Sequence, residues 1–556
     1  MAGAAAACAC RHQKSNAIGV GSCILNLTTV QRWEMSNYSR AEARRRYPMS
    51  SQKKLHELIR TELRDVKFIV VSNREPYIHN WKGDQIVCTR PAGGLATAID
   101  PIMRASDGVW IAHGSGNADA QTVDGSDRIA VPPENPSYKL RRVWIEDRLQ
   151  HEYYFGLSNE GLWPLCHISF TRPIFRPRDW ESYKKVNRLF AEAVLDEAGD
   201  DPAFVFIQDY HFGLLPRMLK ERNPKLIVAQ FWHIPWPNRE AFRAFPWKEE
   251  LLDGLLGNDL LGFQLRYHCT NFLETVDRNI EALVNTEQSN VSRDGRSTLV
   301  RPFPISIDFD AHAKSASGSE VEAEMDWWRE TLQLNTSREE ILGIGIDRID
   351  YTKGIPDRLL GFDSFLDAHP EYREKVRFIQ IGVPSRVEIA EYQTLNGELD
   401  RLVETINSKW STESWTPVVF LKQYFSPLQL MALHRLAHFC VVTSLHDGMN
   451  LVAKEYVASR FDEDGVLILS RFTGSARELQ DALLVNPFAI GEIADAIASA
   501  AKMSAEERGK RMRRMRRAVE ENNIYDWAAR ILSMLLRFDL PDSKSEDQVD
   551  AGEMAL

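Results

Sequence analysis

The sequence predicts an α/β protein of two domains, each built on a largely parallel sheet, with a cleft between them. Three observations carry this. Short apolar runs without alternation recur at 68–71, 204–207, 226–229, 341–345, 378–381, 418–421, 439–442 and 466–469. Such runs suit strands buried on both faces. Longer segments with helical spacing lie between them, among them 180–197 and 426–436, which is the βα repetition of a parallel sheet. The repetition pauses between about 308 and 338, where Ser315-Ala316-Ser317-Gly318-Ser319 precedes an acidic stretch. The domain boundary is placed there. The 556 residues also exceed one core, since single cores stop growing near about 250–300 residues.

Residues 1–65 come first and carry 11 Lys/Arg against 5 Asp/Glu. They are expected to be a disordered extension, or a region preceding a later start at Met35 or Met49. A transit-like leader is the lesser alternative. Residues 66–307 form the first domain, 308–540 the second, and 541–556 an acidic disordered tail. The basic cluster Lys510-Arg511-Met512-Arg513-Arg514-Met515-Arg516-Arg517 is expected to be a solvated helix face.

Composition excludes several classes. With 44% hydrophobic and 26% charged residues, the chain has the mix of a soluble globular protein. A net charge of −10 argues against broad nucleic-acid binding. No stretch approaches the roughly 20 apolar residues of a membrane helix. Seven scattered cysteines without a C-x-x-C pair argue against a zinc site and for a reduced compartment. No metal and no cofactor are expected, the location is cytoplasmic, and homo-oligomer formation stays open.

Five motifs follow predicted strands. Val71-Ser72-Asn73-Arg74 ends the first with a cation. Gly93-Gly94 then forms a turn whose backbone N–H groups can approach an anion, although Gly pairs also mark ordinary turns. Gln208-Asp209-Tyr210-His211 places a carboxylate at a strand end, for sugar hydroxyls or as a helix cap. In Trp232-His233-Ile234-Pro235-Trp236-Pro237 the two prolines stiffen a loop that holds His233. Asp347-Arg348-Ile349-Asp350-Tyr351-Thr352-Lys353 puts two cations before a helix, a metal-free diphosphate site. His446-Asp447-Gly448-Met449-Asn450-Leu451-Val452-Ala453-Lys454-Glu455 opens another helix through a Gly turn, with Glu455 about one and a half turns in, where it can bind ribose hydroxyls.

In this order, and with Pro384-Ser385-Arg386, the motifs resemble the trehalose-6-phosphate synthase family of retaining glycosyltransferases, over about residues 67–540. The resemblance implies a GT-B fold, two Rossmann-like domains facing across a cleft, with the last helix crossing back to the first. It implies a nucleotide-sugar donor, UDP-glucose foremost, and glucose 6-phosphate as acceptor, giving α,α-trehalose 6-phosphate. On the donor side it assigns Gly93, Gly94, Arg348, Lys353, Asp447, Gly448, Met449, Asn450, Leu451, Val452 and Glu455. On the acceptor side it assigns Arg74, Tyr154, Trp163, Asp209 and Arg386. The catalytic set is Arg348, Lys353, Asp209 and His233. No carboxylate pair about 5 Å apart is evident for a covalent intermediate, so a front-face route is expected, with the departing diphosphate stabilised electrostatically.

Three departures keep alternatives open. His446 stands where the family often has Arg. Glu75-Pro76-Tyr77 and Phe245-Pro246-Trp247-Lys248-Glu249 resemble glucosylglycerol-phosphate synthases, which would take glycerol 3-phosphate. A catalytically silent regulatory member is the third reading, and the retained Arg348, Lys353, Asp447 and Glu455 argue against it.

Overall fold

In a computed structural model, eighteen strands form two large sheets and a hairpin among the described residues, 51–62, 66–90, 99–334 (without 101 and 105) and 340–538. The first half contributes β1 (Lys67–Arg74), β2 (Ile78–Lys82), β3 (Gln85–Thr89), β4 (Val109–His113), β5 (Arg128–Val131), β6 (Tyr138–Val143), β7 (Ala203–Gln208), β8 (Ile227–Trp232), β9 (Leu260–Phe263), β10 (Leu283–Asn285), β11 (Asn290–Arg293) and β12 (Arg296–Pro302). The second contributes β13 (Ile341–Arg348), β14 (Val376–Val383), β15 (Val418–Leu421), β16 (Phe439–Val442), β17 (Val466–Ser470) and β18 (Leu483–Val485).

The first sheet runs β10-β11-β12-β9-β8-β7-β1-β4-β6-β5. Its seven central strands are parallel, and antiparallel strands close both edges. The second runs β15-β14-β13-β16-β17-β18 and is parallel throughout. That is the doubly wound order, whose direction reverses between β13 and β16. The first sheet reverses between β1 and β7. Ligands of open α/β sheets bind beyond the carboxyl ends of strands at such reversals. Arg74, Asp209, Arg348 and the 446–450 loop all sit there.

The eight apolar runs are all strands. The interiors of β7, β8, β16 and β17 are buried along their whole length, the pattern of a sheet covered on both faces. The helices expected at 180–197 and 426–436 are Pro177–Ala198 and Pro427–Leu436, the latter capped by Ser426 and Gln429 in a reciprocal box.

Two expectations need correction. The pause at 308–338 is a pause in strands only, because Phe309–Ala316 and Ser319–Thr331 are helices. Val321, Met325 and Trp328 bury against the second sheet's core, with Ile344 and Ile379. Nor is all of 1–65 outside the fold. Ser51–Glu62 is a helix, and its Leu55 and Ile59, four apart and fully buried, face the last helix, Ile524–Leu535. Residues 1–50, like the tail 541–556, lie outside the described residues.

Ile524–Leu535 packs on the first sheet although it follows the second. Trp527, Ile531 and Leu532 meet Phe206 and Phe231, and Trp527 Nε1 donates to Phe303 O at 3.1 Å. Each fully buried aliphatic side chain there contributes about 1.5–3 kcal/mol, enough to hold the crossover. No helix among the described residues is long and apolar enough to cross a membrane.

Candidate active site

The carboxyl ends of both sheets line a cavity of about 310 Å³, the lower range for small-molecule pockets. Twelve of the residues expected from sequence line it: Arg74, Tyr154, Trp163, Asp209, His233, Arg348, Lys353, Arg386, Asp447, Met449, Asn450 and Leu451. Gly448, Val452 and Glu455 are not among the lining residues. Gly93 and Gly94 lie outside the described residues.

Arg74 is aimed by a bulge. The register of β1 against β4 slips between Ser72 and Arg74, and a bulge bends its strand. Ser72 Oγ locks it, donating to Arg74 O at 2.6 Å and accepting from Trp110 Nε1 at 2.8 Å. The aromatics come from an unusual element: His151–Leu162 winds as a π-helix before the helix Trp163–His167, a rare geometry associated with functional sites. Tyr153 OH donates to Asn73 Oδ1 at 3.1 Å, and Arg74 Nη2 reaches Tyr154 OH at 3.4 Å. Burial raises the Tyr154 phenol, but the charges of Arg74 and Arg386 outweigh it and bring it down to about 8.

Of the two roles foreseen for Asp209, the structure shows the cap. Its Oδ1 caps the turn Tyr210–Phe212, accepting from Tyr210 N at 2.9 Å, and also accepts from His233 N at 3.2 Å. It holds φ 71°, a strained conformation for a non-glycine residue. Burial pushes its carboxyl up to about 7. Next to it, the stiff loop is anchored by Trp236, fully buried against Phe242 and Phe272. His233 Nε2 pairs with Gln208 Oε1 at 3.1 Å, and burial pushes its imidazole down to about 3, so it is neutral.

On the opposite wall the cations differ. The Arg348 guanidinium lies 5.6 Å from the Trp163 ring centroid and has no carboxylate partner among the described residues. Lys353 Nζ donates to Asp447 Oδ2 at 2.6 Å, and Ser444 and Asn450 complete the shell of that oxygen. Arg386 lies 4.0 Å over the Trp163 ring and donates to Asp350 Oδ2 at 3.2 Å. Burial alone would raise the carboxyl of Asp350, but Arg386, Arg348 and Lys353 overcome it and hold Asp350 at about 2. Asn450, at φ 79°, caps the helix Leu451–Ser459 through Ala453 N. A Cβ on Gly448 would sit 2.4 Å from His233 O, so only glycine lets the two walls approach. The Glu455 carboxylate has no partner among the described residues, and burial pushes it up to about 7.

Three liners, His167, Gln264 and Ile305, were not foreseen. His167 lies four residues after Trp163, on the same helical face, and its Nδ1 meets Trp163 O at 2.8 Å. Gln264 directly follows β9, whose glycine hides it as a strand. The departures from the motif pattern do not reach the cavity. His446 joins the walls, through His167 O at 2.9 Å and Tyr267 OH at 2.7 Å. Glu75 is buried against Arg142 at 2.9 Å. Phe245 and Trp247 pack on Trp180. The basic cluster on the helix Ala505–Glu521 is also occupied, Arg511, Arg513, Arg514 and Arg517 each pairing with a carboxylate. Among the described residues, no group of three or more His, Cys, Asp or Glu is placed to hold a metal ion.

Known proteins share this arrangement. The model of glycosyltransferase family 20 matches residues 66–537. The trehalose-6-phosphate synthase of Mycolicibacterium vanbaalenii is 38% identical over 481 residues, 84% of this chain and 95% of its own. An E. coli structure, described as trehalose-6-phosphate bound with UDP-2-fluoro glucose, superposes with a TM-score of 0.75 at 31% identity, covering 85% of this chain and 100% of that one. The UDP-forming α,α-trehalose-phosphate synthase of Burkholderia xenovorans, in complex with glucose-6-phosphate, gives 0.75 at 30%, covering 84% and 100%. With its two doubly wound sheets meeting at their switch points, and with that match along nearly the whole described chain, this protein belongs to glycosyltransferase family 20 and has the GT-B fold.

Proposed function

We propose that the protein transfers glucose from UDP-glucose to glucose 6-phosphate, with retention, and forms α,α-trehalose 6-phosphate. The observation that carries this is the convergence of Arg74, Arg348 and Arg386, from the ends of three different strands or their loops, on one cavity walled by Tyr154 and Trp163. Such a site suits two anions and a sugar. The relatives named trehalose-phosphate synthase, one UDP-forming and complexed with glucose-6-phosphate, support the choice of substrates.

Residues 66–307 serve as the acceptor domain and 308–540 as the donor domain. Arg348 and Lys353 neutralise the leaving diphosphate, Gly93 and Gly94 border it, and residues 447–452 hold the donor glucose and phosphate through backbone and side chains. Glu455 takes the ribose and His233 the donor glucose. Arg74 and Arg386 clamp the acceptor phosphate, and Tyr154, Trp163 and Asp209 shape the acceptor pocket.

A front-face route fits the carboxylates. The two that line the cavity are both engaged, Asp209 by two backbone N–H groups and Asp447 by Lys353, Ser444 and Asn450. Neither is presented as a nucleophile. The bond from the anomeric carbon to the diphosphate oxygen breaks, the acceptor hydroxyl attacks from the same face, and its proton passes to the leaving phosphate oxygen. Catalysis is then charge stabilisation and positioning. Cys88, Cys166, Cys269 and Cys440 are free thiols, which suits a reducing compartment such as the cytoplasm.

The test is an assay offering UDP-, ADP- and GDP-glucose in turn, with glucose 6-phosphate or glycerol 3-phosphate. Product is expected from UDP-glucose and glucose 6-phosphate. Product from glycerol 3-phosphate alone would overturn the acceptor.

A further inference from the structure

His211 lines the cavity, and nothing above employs its imidazole. It sits in the turn Tyr210–Phe212, beside Asp209. It is 8% exposed and lines the cavity. Its ring stacks on Tyr210, with centroids 4.2 Å apart, and on Tyr154, at 5.7 Å and 12°. These contacts fix the ring plane. Neither ring nitrogen has a hydrogen-bond partner among the described residues.

A buried imidazole with both nitrogens unmet is uncommon, because each unmet group keeps its desolvation penalty. The neighbouring groups do not meet them. Tyr154 OH is engaged by Arg74, and Tyr210 OH donates to Asn159 Oδ1 at 3.0 Å. The backbone of His211 is satisfied separately, its carbonyl accepting from Asn187 Nδ2 at 3.1 Å. His268 has both nitrogens equally unmet, but His211 differs in lining the cavity, where a group that enters can supply the partner.

The surrounding charge selects its sign. Burial pushes the imidazole down to about 3, and Arg386 and Arg74 act on it in the same direction. The ring is neutral, with one N–H to donate. Two guanidinium groups nearby repel a cation and draw in an anion.

We propose that His211 is a third ligand of the acceptor phosphoryl group, donating an imidazole N–H to an oxygen held between Arg74 and Arg386. This rests on the acceptor being phosphorylated, as argued above.

Two variants separate the nitrogens from the stacking. His211→Phe keeps an aromatic ring and removes both nitrogens, and His211→Gln restores a donor. UDP release in His211→Phe is expected to show a KM for glucose 6-phosphate about tenfold higher, the loss of one hydrogen bond to a charged group. The KM for UDP-glucose stays within about twofold, and His211→Gln recovers part of the loss. In wild-type protein labelled with ¹⁵N-histidine, the His211 ring resonances shift on titration with glucose 6-phosphate and with inorganic phosphate. A His211→Phe enzyme with wild-type constants, an equal rise in both KM values, or ring resonances unmoved at saturating phosphate would each overturn the proposal. If His211→Phe does not fold, the wild-type titration decides. If wild-type enzyme releases UDP equally with an unphosphorylated acceptor, the acceptor reading fails, while the phosphate titration still reports on His211.

Discussion

The two walls of the cleft handle charge in different ways. The first-sheet wall carries a single cation at its lip, Arg74, backed by Tyr154 and by the neutral imidazoles of His211 and His233. Its one carboxylate, Asp209, is raised to about 7 by burial. The second-sheet wall carries three cations, two of them tied to buried carboxylates, Lys353 to Asp447 and Arg386 to Asp350. Arg348 alone is untied. The lesson is that paired cations are scaffold as well as charge. A carboxylate fixes the direction of a flexible lysine before the ligand arrives, at the cost of part of its field. An untied arginine has all its N–H donors free for the ligand but depends on Trp163 for its position.

This contrast can be broken by substitution. Arg348→Ala should cost the most activity, about 10²–10³ in kcat/KM, on the order of 3–4 kcal/mol, while the melting temperature stays near wild type. Steady-state UDP release and thermal denaturation check both halves. Lys353→Met should lower activity and stability together. It strands the buried Asp447 carboxylate, and breaking one side of such a pair costs about 3–5 kcal/mol. A Lys353→Met protein as stable as wild type would remove the distinction between the two cations.

The carboxylates sharpen the same contrast through pH. The folded-state pKa of Asp209 is raised, to about 7, from an unfolded value of about 3.9. Its stabilising contribution is thus complete below about 4 and is lost as pH rises through about 7. Asp209→Asn should therefore be more stable than wild type at pH 8, by on the order of 4 kcal/mol, and the two should converge at pH 4. Asp447 is held below its usual range, against its burial, chiefly by Lys353. Its contribution is lost in the opposite direction, as pH falls. Melting curves across about pH 2–8 separate the two, Asp209 acting above about pH 4 and Asp447 below it. The smallest effect is expected far from the cleft. Arg513→Ala, which breaks an exposed pair with Glu463, should change stability by less than about 0.5 kcal/mol and leave both KM values alone.

Much of this wall chemistry was legible in the motifs, since a polar pair at the end of an apolar run marks the carboxyl edge of a parallel sheet. Other parts were hidden for physical reasons. β6 carries Lys139, Arg141 and Arg142, and reads as polar. Yet Arg142 is fully buried, with Glu75 Oε2 at 2.9 Å and Asp119 Oδ1 at 2.8 Å, and neither partner is near in sequence. β9 is interrupted by Gly262, which reads as a break. In the fold it is the position where a Cβ would meet Phe231 and Phe303 within 3 Å. The helix Ser51–Glu62 has only a narrow apolar stripe, and it shows as part of the core only because Ile524–Leu535 returns to cover it.

By itself the sequence determined the α/β class, eight of the strands and the residues at their ends, because burial on both faces and helical spacing are written locally. It also determined which residue types were available to hold a diphosphate and a sugar phosphate. Only the tertiary structure decided which of them meet. That Arg348 stays untied while Lys353 is locked, that Arg386 stacks on Trp163, and that His211 is left without a partner all depend on side chains far apart in the chain. Their encounter follows from strand order and from the crossing of the last helix, and local pattern carries no record of either.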